Sequence, residues 1–239
     1  MIIEGINVVR ELLKANKKIE KIIAENTANR DIVALVDMAR AKGVKVEIAE
    51  KQELEKLMRG KTQGIVAFVP KFKYCDINSL FLEAERKNEK PFFVILDCIA
   101  DPHNLGAIIR TCECAGVHGV IIPENRACEV NETVYKTSAG AVVNMNVAIV
   151  TNLVRTIKEL KERGVWVYAL EAGNKKIYQA DFTYPTVLVV GSEGKGVSRL
   201  VMENVDEVLS LDMFGSVNSL NASNAAAVAV YEVVRQRSV

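Results

Sequence analysis

Residues 92–96 read Phe92-Phe93-Val94-Ile95-Leu96, five apolar residues with no polar alternation. A strand that shows a polar residue on neither face must be covered on both, which is the condition of a strand inside a parallel sheet flanked by crossover helices. Comparable β-prone runs recur at 117–122, 147–150, 165–170, 187–190 and 208–211, separated by helical patterns near 105–115, 152–163 and 198–203. An Ala-rich helix at about 219–236 closes the chain. The expected architecture of 91–239 is therefore α/β, a mostly parallel sheet with helices on both faces.

Upstream lies a smaller α/β unit, expected over 1–73. Ile6, Val9, Leu12 and Leu13 have helical spacing, 19–24 is a short β-prone run, and Ile32, Leu35, Val36 and Ala39 mark a second helical face ended by Gly43. Val44-Lys45-Val46-Glu47-Ile48 alternates as a strand does, and a helix at 51–59 and a strand at 64–69 complete the unit before Pro70. Residues 74–90 are expected to be a linker with a connecting helix near 77–88.

The 239 residues carry 31 Lys+Arg against 30 Asp+Glu, yet the balance is uneven. Residues 1–73 hold 15 basic and 10 acidic side chains, net +5, whereas 74–239 hold 16 and 20, net −4. A basic first unit points to an anionic partner, with nucleic acid foremost; the alternative is a solvated face with no partner. A hydrophobic fraction of 49% excludes a disordered or fibrous chain. No apolar run reaches the ~18 residues of a membrane span, and the start, Met1-Ile2-Ile3-Glu4-Gly5, has no basic region before an apolar one, so a cytoplasmic protein is expected. Five cysteines make no disulfide framework, and their scatter gives no metal-ligand spacing: Cys112 and Cys114 would face opposite sides of a helix, so no metal is expected.

Ligands of open α/β sheets gather beyond the carboxyl ends of strands. Three loops there are chemically unusual: DPHNLGAIIR at 101–110, VVGSEGKGVSR at 189–199 and LDMFGSVNSLNASNAA at 211–226. The glycines Gly191, Gly194 and Gly196 run in the reverse of the dinucleotide fingerprint, and Lys195 is followed by Gly196 rather than Ser or Thr, which disfavours a nicotinamide enzyme and an NTPase.

Taken together and in order, these segments resemble motifs one, two and three of the SpoU (TrmH) family of RNA 2′-O-ribose methyltransferases in the SPOUT superfamily. The N-terminal portion is similar to the substrate-binding domain of bacterial members, and the closing YEVVRQRS at 231–238 is nearest to the RlmB-like branch, which modifies a guanosine of 23S ribosomal RNA. The resemblance implies a SPOUT-type parallel sheet with a C-terminal deep trefoil knot, a homodimer built on the last helix, and S-adenosyl-L-methionine as cofactor. It implies Gly191, Leu211 and Leu220 as the central cofactor contacts, with Met213 and Gly215 shaping the pocket. It implies catalytic work for Asn104, Arg110, Glu193, Ser219 and Asn221. A guanidinium is always protonated, so Arg110 suits a grip on phosphate and a developing alkoxide better than the role of base, and the proton is left to phosphate, water or Glu193.

Two positions depart from the family pattern. Asp212 stands where the family usually has Pro, which implies a less preorganised loop, and Asn224 stands where a small or branched residue is common. The implied function is methylation of ribosomal RNA. Transfer RNA is the alternative substrate, and an RNA-binding or assembly protein without catalysis is the alternative class.

Overall fold

The computed structural model describes residues 1–238, with Asn174 placed through its backbone alone. Val239, the end of the expected 91–239 domain, lies outside the described residues. The chain forms two compact units, Met1–Lys73 with Val130–Asn144, and Tyr74–Glu129 with the chain from Met145 onward.

In chain order the first elements are β1 (Ile2–Glu4), α1 (Ile6–Lys14), β2 (Lys21–Glu25), α2 (Arg30–Ala41), β3 (Val46–Ala49), α3 (Lys51–Met58) and β4 (Ile65–Phe68). There follow α4 (Ile77–Lys87), β5 (Phe92–Asp97), α5 (Pro102–Cys114), β6 (Gly119–Pro123), α6 (Glu132–Thr137), β7 (Val147–Val150) and α7 (Leu153–Glu162). The last are β8 (Trp166–Lys176), β9 (Thr186–Gly191), α8 (Arg199–Met202), β10 (Glu207–Ser210) and α9 (Ala222–Arg237).

The first unit carries a mixed four-stranded sheet in the order β1-β4-β2-β3, parallel only between β2 and β3. Val8, Val9, Leu12 and Leu13 form the buried stripe of α1, as their helical spacing requires. The three-residue β1 is too short to show alternation, and only its pairing with β4 reveals it. Helix α6 also belongs to this unit: Lys136 Nζ reaches Glu4 Oε2 at 3.1 Å, and Gly140 packs on the backbone of Val8. This changes the expected domain limits, because 130–144 leaves the second unit by its contacts.

The second unit is an entirely parallel six-stranded sheet ordered β10-β8-β9-β5-β6-β7. Successive crossovers run from β5 to β6 and β7 on one side, whereas β8, β9 and β10 lie on the other. The order of the sheet therefore switches beside β5 and β9, where a crevice opens at the carboxyl edge. Phe93, Ile95, Val187 and Val189 face one layer, formed by Leu80 and Phe81 of α4 and Ile157 and Leu160 of α7. The alternate residues Val94, Leu96, Leu188 and Val190 are equally buried, and α5 and α9 touch each other, β6 and β9. Both faces are thus covered, which accounts for the apolar run at 92–96.

Helix α4, expected to be part of a linker, is instead a structural member of this unit. Ile77, Leu80 and Phe81 enter the core, and the absence of a side chain at Gly119 makes room for Leu80: a Cβ there would lie 2.3 Å from Leu80 Cδ2. The amphipathic pattern of 77–88 is legible in the sequence; the surface it covers is not.

His118, just before β6, is buried between two groups. Phe92 N–H donates to its Nδ1 at 3.1 Å, so the ring proton resides on Nε2 and is donated to Glu89 Oε2 at 3.0 Å. Burial lowers the His118 pKa, outweighing the opposing pull of Glu89. A histidine whose pKa is depressed on folding contributes stability present above its unfolded value of ~6.5, and that contribution is lost as pH falls from this value through the lower folded one. The urea midpoint should therefore drop between pH 8 and pH 5, and His118→Gln should flatten the drop; an equal slope in the variant would exclude His118 as its source.

Candidate active site

Loops after β5, β9 and β10 meet at the carboxyl edge of the second unit, and two carboxylates organise them. Asp97, the buried last residue of β5, accepts the Ser198 N–H on Oδ2 at 2.7 Å. Its Oδ1 takes the Cys98 thiol at 3.3 Å. Glu171 of β8 accepts the Val197 N–H on Oε2 at 3.1 Å. Strands β5 and β8 are the two neighbours of β9, so the chain leaving β9 is pulled back from both sides.

The glycines allow this return. Ser192 and Gly196 exchange backbone hydrogen bonds of 3.2 and 2.8 Å, closing a tight loop. A Cβ on Gly191 would sit 2.1 Å from the Gly196 carbonyl carbon, and one on Gly196, whose φ is +62°, would sit 1.9 Å from Glu171 Oε2. These two glycines are needed for backbone approach and for a left-handed φ, whereas nothing lies within 4 Å of a Cβ built on Gly194.

Strand β8 departs from regular pairing at the same place. Val208 of β10 pairs with Ala169, but Leu209 pairs with Lys175, so residues 170–174 bulge out between them. The bulge brings Leu170, Glu171 and Ala172 to a cleft of about 620 Å³, which Gly191, Leu211 and Met213 also line. Ser219 and Leu220 line it as well. Gly215 does not: its surroundings are open and it lies outside the lining, on the same turn as Phe214, which is 97% exposed.

Of the five polar residues given catalytic work by the resemblance, three meet. Asn104 Nδ2 donates to Glu193 Oε1 at 3.0 Å, Asn221 Nδ2 donates to Asn104 Oδ1 at 3.0 Å, and Asn221 Nδ2 also bonds Glu193 Oε1. Local structure prepares each. Asp101 caps α5 by accepting the His103 N–H at 2.9 Å and Pro102 fixes its first turn, which carries Asn104. Asn221 caps α9, its Oδ1 taking the Ser223 N–H at 2.9 Å, and this turns its Nδ2 toward the cluster. Glu193 rides on the closed glycine loop and also lines the cleft.

Arg110 is not brought into this cluster. Six residues beyond Asn104 on α5, it points about 120° away around the helix. It is exposed, and no hydrogen bond or ion pair to it is found among the described residues. The carboxylate of Asp212 is held by Lys176 Nζ at 2.7 Å and the Tyr178 hydroxyl at 3.1 Å. The lysine lowers the Asp212 pKa. Glu171, Lys176 and Tyr178 escaped the sequence reading; an acid immediately after the apolar run 165–170 was the one available signal for Glu171.

Residues 91–231 match the sequence pattern of the SpoU rRNA methylase family, and 2–75 match the substrate-binding module of RNA 2′-O ribose methyltransferases. The chain belongs to the SpoU rRNA methylase family, a family of RNA methyltransferases. A SpoU relative from Bacillus subtilis, described as a putative TrmH family tRNA/rRNA methyltransferase, is 44% identical over 98% of this chain and 95% of its own. The 23S rRNA (guanosine-2′-O-)-methyltransferase RlmB of Yersinia pestis is 39% identical over 100% of this chain and 98% of its own. The SpoU methyltransferase AviRb of Streptomyces viridochromogenes, solved with its cofactor AdoMet, shares the fold with a TM-score of 0.84 at 23% identity, covering 100% of this chain and 90% of that one. The TrmH/SpoU tRNA modifying enzyme of A. aeolicus aligns with a TM-score of 0.58 at 31% identity, over 66% of this chain and 84% of that one.

The glycine loop of this SpoU protein separates strict from free positions. Gly196→Ala, strained in φ and against Glu171, should cost about 1–3 kcal/mol in urea unfolding, whereas Gly194→Ala should stay within about 0.5 kcal/mol. Equal costs would show that the loop does not adopt this closed form.

Proposed function

We propose that this protein transfers a methyl group from S-adenosylmethionine to the ribose 2′-hydroxyl of a guanosine in 23S ribosomal RNA, working as a homodimer. The observation that carries the reading is the Asn104–Glu193–Asn221 cluster set on the rim of a cleft built by the glycine loop and by 211–220. The cleft suits the cofactor: Leu170, Leu211, Met213 and Leu220 offer apolar surface to a heteroaromatic ring, and the side chain missing at Gly191 leaves backbone groups close at hand. The deep trefoil knot implied by the motifs belongs to this reading, with the chain beyond the glycine loop as the threaded segment. Exposed Val228 and Tyr231, three residues apart on α9, support pairing of two copies through that helix.

When bound, the cofactor supplies an electrophilic methyl group on a sulfonium. The protein's own work is to hold a ribose hydroxyl in line with it, since orientation alone can be worth ~7–11 kcal/mol. Asn104 and Asn221 fix Glu193 through Oε1, which leaves Oε2 as its oxygen for the hydroxyl or its proton. Ser219 lines the cleft beside Leu220 and adds a hydroxyl to the sugar's surroundings. Arg110, exposed and permanently charged but turned away from this cluster, grips the phosphate neighbouring the ribose. The net +5 charge of 1–73 supports docking of the RNA on the first unit. Phe214 offers an exposed ring on which a base can stack.

The preference for ribosomal RNA rests on the 39% identical Yersinia pestis enzyme; the name of the Bacillus subtilis relative leaves transfer RNA as the second substrate. Labelled cofactor should place its methyl on a ribose of 23S RNA fragments and leave transfer RNA unlabelled. Label on a base would refute the 2′-O reading, and label confined to transfer RNA would refute the substrate. In the same assay Arg110→Ala should lower kcat/KM by about 10–10²-fold through the lost phosphate grip, with stability unchanged because the side chain has no partner among the described residues. A near-normal kcat/KM would remove Arg110 from the mechanism.

A further inference from the structure

Asp212 stands between two residues that wall the cleft, Leu211 and Met213, at the start of a stretch, 211–221, without regular secondary structure. Such a stretch keeps its shape only through side-chain ties. Asp212 Oδ1 meets Lys176 Nζ at 2.7 Å and Oδ2 accepts the Tyr178 hydroxyl at 3.1 Å, so both carboxylate oxygens are engaged. Lys176 ends β8, and Tyr178 lies in the 3-10 turn Ile177–Gln179 that follows it.

That end of β8 is itself stitched to β10. Lys175 Nζ meets Glu207 Oε2 at 2.6 Å, and Ser210 Oγ donates to the carbonyl oxygens of Gly173 at 2.9 Å and Lys175 at 3.3 Å. The 175–178 segment is thus a fixed post beside the last residue of β10, and its final tie lands on the loop beyond. Neither Lys176 nor Tyr178 belongs to the three motifs around the cleft.

We propose that the Lys176–Asp212–Tyr178 cluster presets the Leu211–Met213 wall for the methyl donor, which makes Lys176 and Tyr178 positioning residues for donor binding. The inference rests on the cleft being the donor site. A wall ordered during folding spares the donor the entropy of ordering it on binding. The lysine keeps the Asp212 carboxyl below its usual range. With side-chain exposures of 33% for Lys176 and 28% for Asp212, the tie is open to screening by salt.

Full-length Asp212→Ala, Lys176→Met, Tyr178→Phe and the Asp212→Ala/Lys176→Met double variant test this. Calorimetry with S-adenosylmethionine alone and steady-state kinetics should show donor Kd and KM raised about three- to tenfold in the first two, less in Tyr178→Phe, with kcat at saturating donor within about twofold of wild type. The double variant should bind no worse than the weaker single one, because both changes break one interaction. Hydrogen exchange of residues 209–220 in the donor-free protein should be faster in each variant than in wild type.

Wild-type donor affinity and exchange in the variants would overturn the proposal. So would losses that add in the double variant, or a fall in kcat at constant KM. Wild-type protein that binds no donor would overturn the donor-site reading instead, and this proposal with it; the exchange data would then still report whether the cluster orders the loop.

Discussion

The backbone N–H groups of Val197 and Ser198 are consecutive donors, and their acceptors, Glu171 and Asp97, come from the two strands that flank β9. This pair of charge-assisted hydrogen bonds is the constraint on which the carboxyl edge of the sheet depends. A carboxylate as buried as Asp97 is costly without its donors, and the donors reach it only if the chain doubles back within the space of five residues. The doubling back in turn needs Gly191, where any side chain would meet the Gly196 backbone. Sheet order, loop closure and buried charge therefore specify one another.

Glu193 inherits its position from that closure. Carried on the loop, it meets amides from the first turn of α5 and the cap of α9, so a site assembled from three distant segments is anchored at two helix starts. Asn221 serves both structures at once: its carbonyl oxygen caps α9 and its amide nitrogen joins the cluster. A side chain with separate donor and acceptor ends is required for this, and neither Asp nor Ser offers both in the same geometry. A different device, the bulge of β8, also supplies lining to the cleft: residues 170–174 leave its pairing with β10.

Much of this is legible in the amino-acid sequence. Uninterrupted apolar runs identified doubly covered parallel strands, and the loops after 96, 190 and 211 stood out by composition. Resemblance to known motifs supplied Asn104, Glu193, Ser219 and Asn221, and the fold brings Asn104, Glu193 and Asn221 together. It also supplied Arg110 and Gly215, which the fold places away from the cluster and outside the cleft lining, because motif membership says nothing about the helical phase of one residue or the outward turn of another. Asp212 looked like a loss of rigidity, yet its carboxylate is tied to a strand end 34–36 residues earlier in the chain.

Sequence alone determined the class of sheet, the order of the chemically unusual turns and the residue types they carry, since periodicity and glycine spacing are local properties. Only the tertiary structure decided that 130–144 packs with the first unit, that α4 is core rather than connector, that Glu171 holds the returning glycine loop and that Lys176 and Tyr178 meet Asp212. Those outcomes depend on which strands become neighbours and at what register, and such long-range pairings leave no trace in the spacing of residues along one segment.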